Sequence, residues 1–270
     1  MQKLKRFGIF TVVILMLLTV MLYSFQEKLI FLPTKLAQDH VYAFNADFDE
    51  IFLDTADGAR LNALHFYTDN PKGLILYFHG NAGDLSRWGE IVLPFVDLGY
   101  EVLVMDYRSY GKSTGKLSED ALYRDAQLFY AYAMEKYPEE QLIIYGRSLG
   151  TGIASQLSSK NQPQKLILET PFHSLLDVAQ ERFPFLPVSY LLRYRVPSYV
   201  FLEKVDCPIR IFHGTTDNVV SYGSGKKLYE SISNSDKKMY TIPNGNHNNL
   251  SDFEIYWNGI KKELAPVLIK

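Results

Sequence analysis

Apolar residues recur along most of this chain in short runs, and between the runs they recur at helical spacing. Ile51–Thr55 and Leu61–Tyr67 flank Asp57-Gly58, a dipeptide that favours a hairpin turn, and both runs are expected to be strands. Leu74–Phe78 is continuously apolar, the pattern of a strand covered on both faces, and Leu85, Trp88, Ile91, Val92 and Phe95 follow at helical spacing. Further strands are expected at Glu101–Asp106, Leu142–Tyr145, Leu166–Leu168, Ile209–Phe212 and Met239–Ile242. One helix should start near Ser118, another at Ser148, and a last one at Ser251-Asp252-Phe253-Glu254, which reads as a capping box. Apolar strands alternating with amphipathic helices predict an α/β fold, a mainly parallel sheet of about eight strands with helices on both faces. In such sheets ligands bind beyond the carboxyl ends of the strands.

One segment departs from this rhythm. Phe7–Phe25 carries no charge and follows Lys3, Lys5 and Arg6. As a helix it would reach about 28 Å, near the hydrocarbon thickness of a bilayer. A cleavable signal peptide has a shorter apolar core and a small-x-small exit, whereas here the exit reads Leu22-Tyr23-Ser24-Phe25-Gln26. A core helix would carry a polar face. The expectation is therefore one uncleaved transmembrane helix over residues 1–25, a juxtamembrane connector over 26–38, and a single folded domain over 39–270. The flanking cations put the N-terminus in the cytoplasm and the domain across the membrane, on the periplasmic face of the inner membrane in a bacterium. The connector's apolar patch, Leu29-Ile30-Phe31-Leu32-Pro33, is expected at the membrane interface or docked on the domain.

Composition narrows the partners. A chain of 270 residues buries a sizeable core, and a net charge of -2 gives no reason to expect nucleic acid. Cys207 is the single cysteine, so an intrachain disulfide and a multi-thiolate zinc site are excluded. It is expected to pack inertly. No metal or cofactor is expected, and the sequence leaves the oligomeric state open.

The chemistry sits at the expected strand ends. Gly146-Arg147-Ser148-Leu149-Gly150 follows one strand and opens a helix, the setting in which a Gly-x-Ser-x-Gly turn exposes a nucleophilic serine. Of six histidines, His247 lies in a loop beyond the last strand that can lay an imidazole over Ser148. His79 and His213 stand at strand ends before glycines, a sign of close backbone packing. Asp217, in the loop after the preceding strand, is the expected acid that orients His247; Asp206, Asp177 and Glu169 are weaker alternatives. The order Ser148, Asp217, His247 is that of α/β-hydrolases. The backbone amides of Leu149 and Asn81, the latter in Phe78-His79-Gly80-Asn81-Ala82-Gly83, are the expected oxyanion hole.

With these residues the chain resembles the membrane-anchored α/β-hydrolase-domain proteins of the bud-emergence (Bem) type. The resemblance covers Phe25-Gln26-Glu27-Lys28-Leu29-Ile30-Phe31, His79-Gly80-Asn81-Ala82-Gly83-Asp84, Asp106-Tyr107-Arg108-Ser109-Tyr110-Gly111-Lys112-Ser113, Gly146–Gly150 and His213-Gly214-Thr215-Thr216-Asp217. Relatives read Gly-Tyr-Gly at Ser109-Tyr110-Gly111 and often Gly-His-Asn-Asp where this chain has Asn246-His247-Asn248-Asn249. The resemblance implies hydrolysis of esters, thioesters or lipids.

A short cap over about 171–206, rich in apolar aromatics, separates two strands. Its Phe183, Phe185 and Tyr190, together with His173, are expected to line a pocket for a small-molecule or lipid-like acyl substrate. The expected function is a membrane-anchored serine hydrolase, esterase, thioesterase or lipase-like, acting through an acyl-enzyme. Two rivals stand beside it: a serine peptidase of aminopeptidase type, and a non-catalytic membrane-tethered binding module on the same fold.

Overall fold

A computed structural model describes residues 2–265; Met1 and residues 266–270, the ends of the expected anchor and domain, lie outside the described residues. Along the chain the elements are helix α1 (Gln2–Ile30), strands β1 (Leu32–Pro33), β2 (Phe48–Asp54), β3 (Arg60–Phe66), β4 (Leu74–Phe78) and β5 (Ala82–Gly83), and helix α2 (Leu85–Asp97). Next come β6 (Glu101–Met105), α3 (Glu119–Met134), β7 (Leu142–Arg147), α4 (Leu149–Ser158) and β8 (Lys165–Glu169). The cap carries α5 (Leu175–Arg182), α6 (Val188–Leu191) and α7 (Ser198–Leu202), and β9 (Ile209–Gly214), α8 (Tyr222–Ser231), β10 (Lys237–Ile242) and α9 (Glu254–Glu263) complete the domain.

The main sheet has eight strands among the described residues, in the order β10-β9-β8-β7-β4-β6-β3-β2. Only β3 runs against its neighbours, β2 and β6; every other pair is parallel. The central strands are continuously apolar because each face of the sheet is covered. Leu74, Leu76 and Phe78 of β4 pack into one core with Phe129 of α3 and Ile153 of α4. Ile75 and Tyr77 point the other way, into a second core with Trp88 and Phe95 of α2 and Ile260 of α9.

Helix starts follow their caps. The Ser118 hydroxyl accepts the Ala121 N–H at 3.1 Å, and Asp84 accepts the Ser86 N–H. The capping box expected at Ser251 does not form: residues Leu250–Asp252 make a single 3₁₀ turn and α9 begins at Glu254. The Ser251 carbonyl instead accepts the Trp257 indole N–H at 2.8 Å.

The N-terminal stretch corrects an expectation. It forms part of α1, with Phe7, Ile9, Phe10, Met16 and Leu17 outward and exposed. Among the described residues, however, no helix is long and apolar enough to cross a membrane, so the transmembrane anchor and its single-pass topology are not supported. The physical reason lies in the helix's C-terminal end. The Arg193 guanidinium covers the Tyr23 ring at 5.4 Å, and the Gln26 side chain donates to the Leu191 carbonyl at 3.1 Å and accepts the Arg193 N–H at 2.8 Å. Glu27 accepts from Arg193 and from the Tyr194 hydroxyl, each at 2.9 Å. With the end committed to the cap, Phe7–Leu22 offers only about 24 Å of helix, short of the hydrocarbon core.

The connector beyond α1 is docked rather than free. Leu32–Pro33 pairs in parallel with Ala82–Gly83, and Lys35 bridges to Gly111. The N-terminal segment thus becomes a short strand beside the loop after β4.

Candidate active site

The turn between β7 and α4 is set by two close approaches. A Cβ on Gly150 would lie 2.0 Å from the Phe78 carbonyl oxygen, and one on Gly146 would lie 2.5 Å from the Gly150 carbonyl oxygen. Only glycine fits, and the tight turn forces Ser148 to φ 51°, ψ −116°, a conformation non-glycine residues rarely adopt. The Ser148 N–H donates to the Glu169 carbonyl at 2.9 Å, which fixes the turn against β8. Ser148 itself is only 9% exposed.

Two loops from neighbouring strands converge on this serine. His247, after β10, places Nε2 2.8 Å from Ser148 Oγ and Nδ1 2.7 Å from Asp217 Oδ2. With Nδ1–H donating to the carboxylate, Nε2 is left to accept from the serine hydroxyl. Asp217, after β9, is itself held: its Oδ1 accepts the N–H groups of Val219 and Val220, each at 2.9 Å. Burial alone would raise this carboxyl, but hydrogen bonds from His213 and His247 outweigh it and hold the group well below its ordinary range. His213 is buried, with Nε2 3.4 Å from the same Oδ2. The alternatives stand elsewhere: Glu169 pairs with Arg147, and Asp177 with His173 and Lys227.

The loop carrying His247 is braced from both sides. The Asn246 N–H donates to Asn249 Oδ1 at 2.7 Å, so Asn249 supplies an acceptor that ties the loop. Arg147 was not singled out by sequence reasoning, because a residue inside the motif carries no signal of its own direction. Its guanidinium is buried, 3.1 Å from Glu169, and it donates to the His247 carbonyl at 3.4 Å. Tyr145 and Tyr256 donate to the other oxygen of Glu169 at 2.6 and 3.0 Å.

On the opposite side, the loop after β4 approaches Ser148. A Cβ on Gly80 would sit 3.7 Å from the serine Cβ. The other polar groups of Asn81 are used locally: its carbonyl accepts from Leu32 N–H and the Tyr110 hydroxyl, and its side chain donates to the Ile30 carbonyl. Leu149 opens α4, where the first N–H groups lack helical partners. Asn81, Ser148 and Leu149 all line one cavity of about 590 Å³. Ser109 sits at φ 71°, the region glycine adopts freely.

The cavity keeps one of the four expected pocket residues and corrects three. Phe183 lines it, but Phe185 and Tyr190 are 97% and 88% exposed and lie outside it. His173 stacks on Tyr199 at 4.3 Å and pairs with Asp177, so it holds the cap rather than facing the cavity. The walls come instead from α5 (Leu175, Val178, Ala179), the acid loop (Val219, Val220) and the N-terminal segment (Leu29, Ile30, Leu32). The apolar patch at Leu29–Pro33 was the available signal for the last of these. Among the described residues, no cluster of three or more His, Cys, Asp or Glu side chains is arranged to hold a metal ion.

This arrangement has relatives. Residues 69–197 and 201–254 match the Hydrolase_4 family, described as serine aminopeptidase, S33. Protein bem46 of Schizosaccharomyces pombe is 29% identical, over 97% of this chain and 93% of its own length. Lysophosphatidylserine lipase ABHD12 of Danio rerio is 33% identical over 61% of this chain and 48% of its own. The fold is that of the Pyrococcus furiosus esterase Pf2001, with a TM-score of 0.67 at 18% identity, covering 87% of this chain and 95% of that one. The chain belongs to the Hydrolase_4 family and is an α/β-hydrolase-domain protein similar to those of the Bem46 type.

Proposed function

We propose that this protein is a serine hydrolase that cleaves carboxylic ester or thioester bonds of substrates with an apolar acyl group. The observation that carries the proposal is the 2.8 Å contact of Ser148 Oγ with an imidazole already oriented by Asp217, opening onto a largely apolar cavity. His247 takes the Ser148 proton as the oxygen attacks the acyl carbonyl. The resulting oxyanion accepts from the backbone N–H groups of Leu149 and Asn81. His247 then protonates the leaving alcohol or thiol, and an acyl-enzyme remains. Water, deprotonated by the same imidazole, attacks that ester, and the proton returns to Ser148 as the acid departs.

The family description admits a peptidase reading. Among the described residues lining the cavity, the only charged side chain is Arg182, a cation that repels the ammonium group an aminopeptidase must hold. The lipase name of the Danio rerio relative agrees with an acyl ester. The exposed apolar side chains of α1 favour contact of that helix with a lipid surface, which flotation with liposomes tests.

The test of the catalytic reading is steady-state hydrolysis of p-nitrophenyl esters and of an aminoacyl p-nitroanilide by wild type and Ser148→Ala. Ester turnover that vanishes in the variant supports the proposal. Turnover of the anilide alone, or equal turnover by the variant, overturns it.

A further inference from the structure

Beside the cavity at Ser148 lies a second, narrower one of about 90 Å³. The two share walls: Leu29 and Ile30 from the end of α1, Ala179 and Phe183 from α5, and Leu192. The smaller slot continues past them between Leu22 of α1 and Leu186, Val188 and Leu191 of the cap. Its single polar lining residue, Gln26, has no group to offer a ligand. Its amide donates to the Tyr23 and Leu191 carbonyls, at 2.9 and 3.1 Å, and accepts the Arg193 N–H at 2.8 Å. The smallest of the shared wall residues is Ala179. At the far end the slot reaches the flank of α1 whose outward side chains, Val20 and Met21 among them, are exposed.

Two adjoining, largely apolar cavities that share five wall residues, the larger of them reaching Ser148, fit one ligand chemistry. Water has no partner in the smaller slot, a charged group would be stranded there, and its roughly 90 Å³ suits a short stretch of hydrocarbon chain. We propose that the slot between α1 and the cap is a distal acyl subsite, in which a long, unbranched acyl chain esterified at Ser148 runs past Ala179 and alongside Leu22. This rests on Ser148 being the nucleophile. It gives the N-terminal helix a direct part in chain-length selection, since Leu22, Gln26, Leu29 and Ile30, four of the ten residues lining the slot, belong to it.

The full-length chain is assayed with p-nitrophenyl butyrate, octanoate, laurate and palmitate, each below its aggregation concentration. Wild type is compared with Leu22→Trp, which fills the slot alone, and Ala179→Trp, which enlarges the wall that the two cavities share. Intact sites in each protein are counted by titration with a short-chain alkyl fluorophosphonate. In wild type, kcat/KM rises with chain length by about fourfold per buried methylene. In both variants the palmitate-to-butyrate ratio falls at least about tenfold while the sites titrate fully. An unchanged ratio in fully titrating variants, or a wild-type preference for butyrate, overturns the subsite. Failure of wild type itself to titrate overturns the underlying reading of Ser148, and the subsite with it.

Discussion

Replacing Asp217 by asparagine isolates the orienting role of the carboxylate. Asp217 Oδ1 accepts two backbone N–H groups, from Val219 and Val220, and Oδ2 faces His247 Nδ1 at 2.7 Å. An asparagine in this place keeps its carbonyl oxygen on the two backbone donors. Its NH₂ therefore turns toward Nδ1, and a donor meets a donor. The imidazole escapes the clash by moving its proton to Nε2, and there it no longer accepts from Ser148 Oγ, 2.8 Å away. Loss of the correct tautomer, with the geometry otherwise kept, lowers kcat by about ten-thousandfold, or about 5 kcal/mol of barrier. The assay is steady-state hydrolysis of p-nitrophenyl butyrate, with circular dichroism to show that the fold persists. A folded Asp217→Asn protein retaining more than about a tenth of wild-type kcat would refute the assignment of Asp217 as the orienting acid.

Other outcomes follow from the same coordinates. Asn249→Ala strips the acceptor from the Asn246 N–H and loosens the His247 loop, lowering kcat by about tenfold, whereas Asn249→Asp keeps the acceptor and stays near wild type; equal rates in both contradict the bracing role. Gly150→Ala drives a Cβ to 2.0 Å from the Phe78 carbonyl oxygen and destabilises the protein by at least about 3 kcal/mol in urea titrations; an unchanged midpoint contradicts the close approach. Burial pushes the Cys207 thiol up to about 12, so a disulfide reagent labels it only once the protein is unfolded, and rapid labelling of the native state contradicts this. The folded pKa of Asp217 lies below its unfolded value of about 3.9. Its stabilisation is therefore present above that value and is lost as the pH falls through the lower folded one. The stability gap between wild type and Asp217→Asn narrows on strong acidification, and a widening gap contradicts the sign.

What was legible in the sequence is local or repeated. β4 and β7 announce themselves because both faces of the sheet are covered, so Leu74–Phe78 and Leu142–Tyr145 are apolar throughout. The Ser148 turn is legible because the glycines at 146 and 150 are demanded by steric contacts that leave no other residue. Asp217 and His247 follow from chain order, since consecutive parallel strands deliver their loops to one edge of the sheet. What was not legible depends on contacts between distant segments. β1 pairs with β5 over only two residues, too few to carry a periodicity. In the cap, Phe183 and Phe185 are two positions apart and chemically alike, yet only tertiary packing decides that one lines the cavity and the other is exposed. The N-terminal stretch reads as a span from its apolarity, its flanking cations and its exit sequence, and none of these reveals that Gln26 and Glu27 bind the end of the helix to the cap.

The central claim, that Ser148 is the nucleophile, is tested most directly by peptide mass spectrometry of the fluorophosphonate-treated protein. One phosphonyl adduct is expected, on the peptide bearing Gly146–Gly150 and localised to Ser148, absent in both Ser148→Ala and heat-unfolded protein. An adduct that persists in Ser148→Ala, or wild-type protein that stays unmodified while folded, contradicts it.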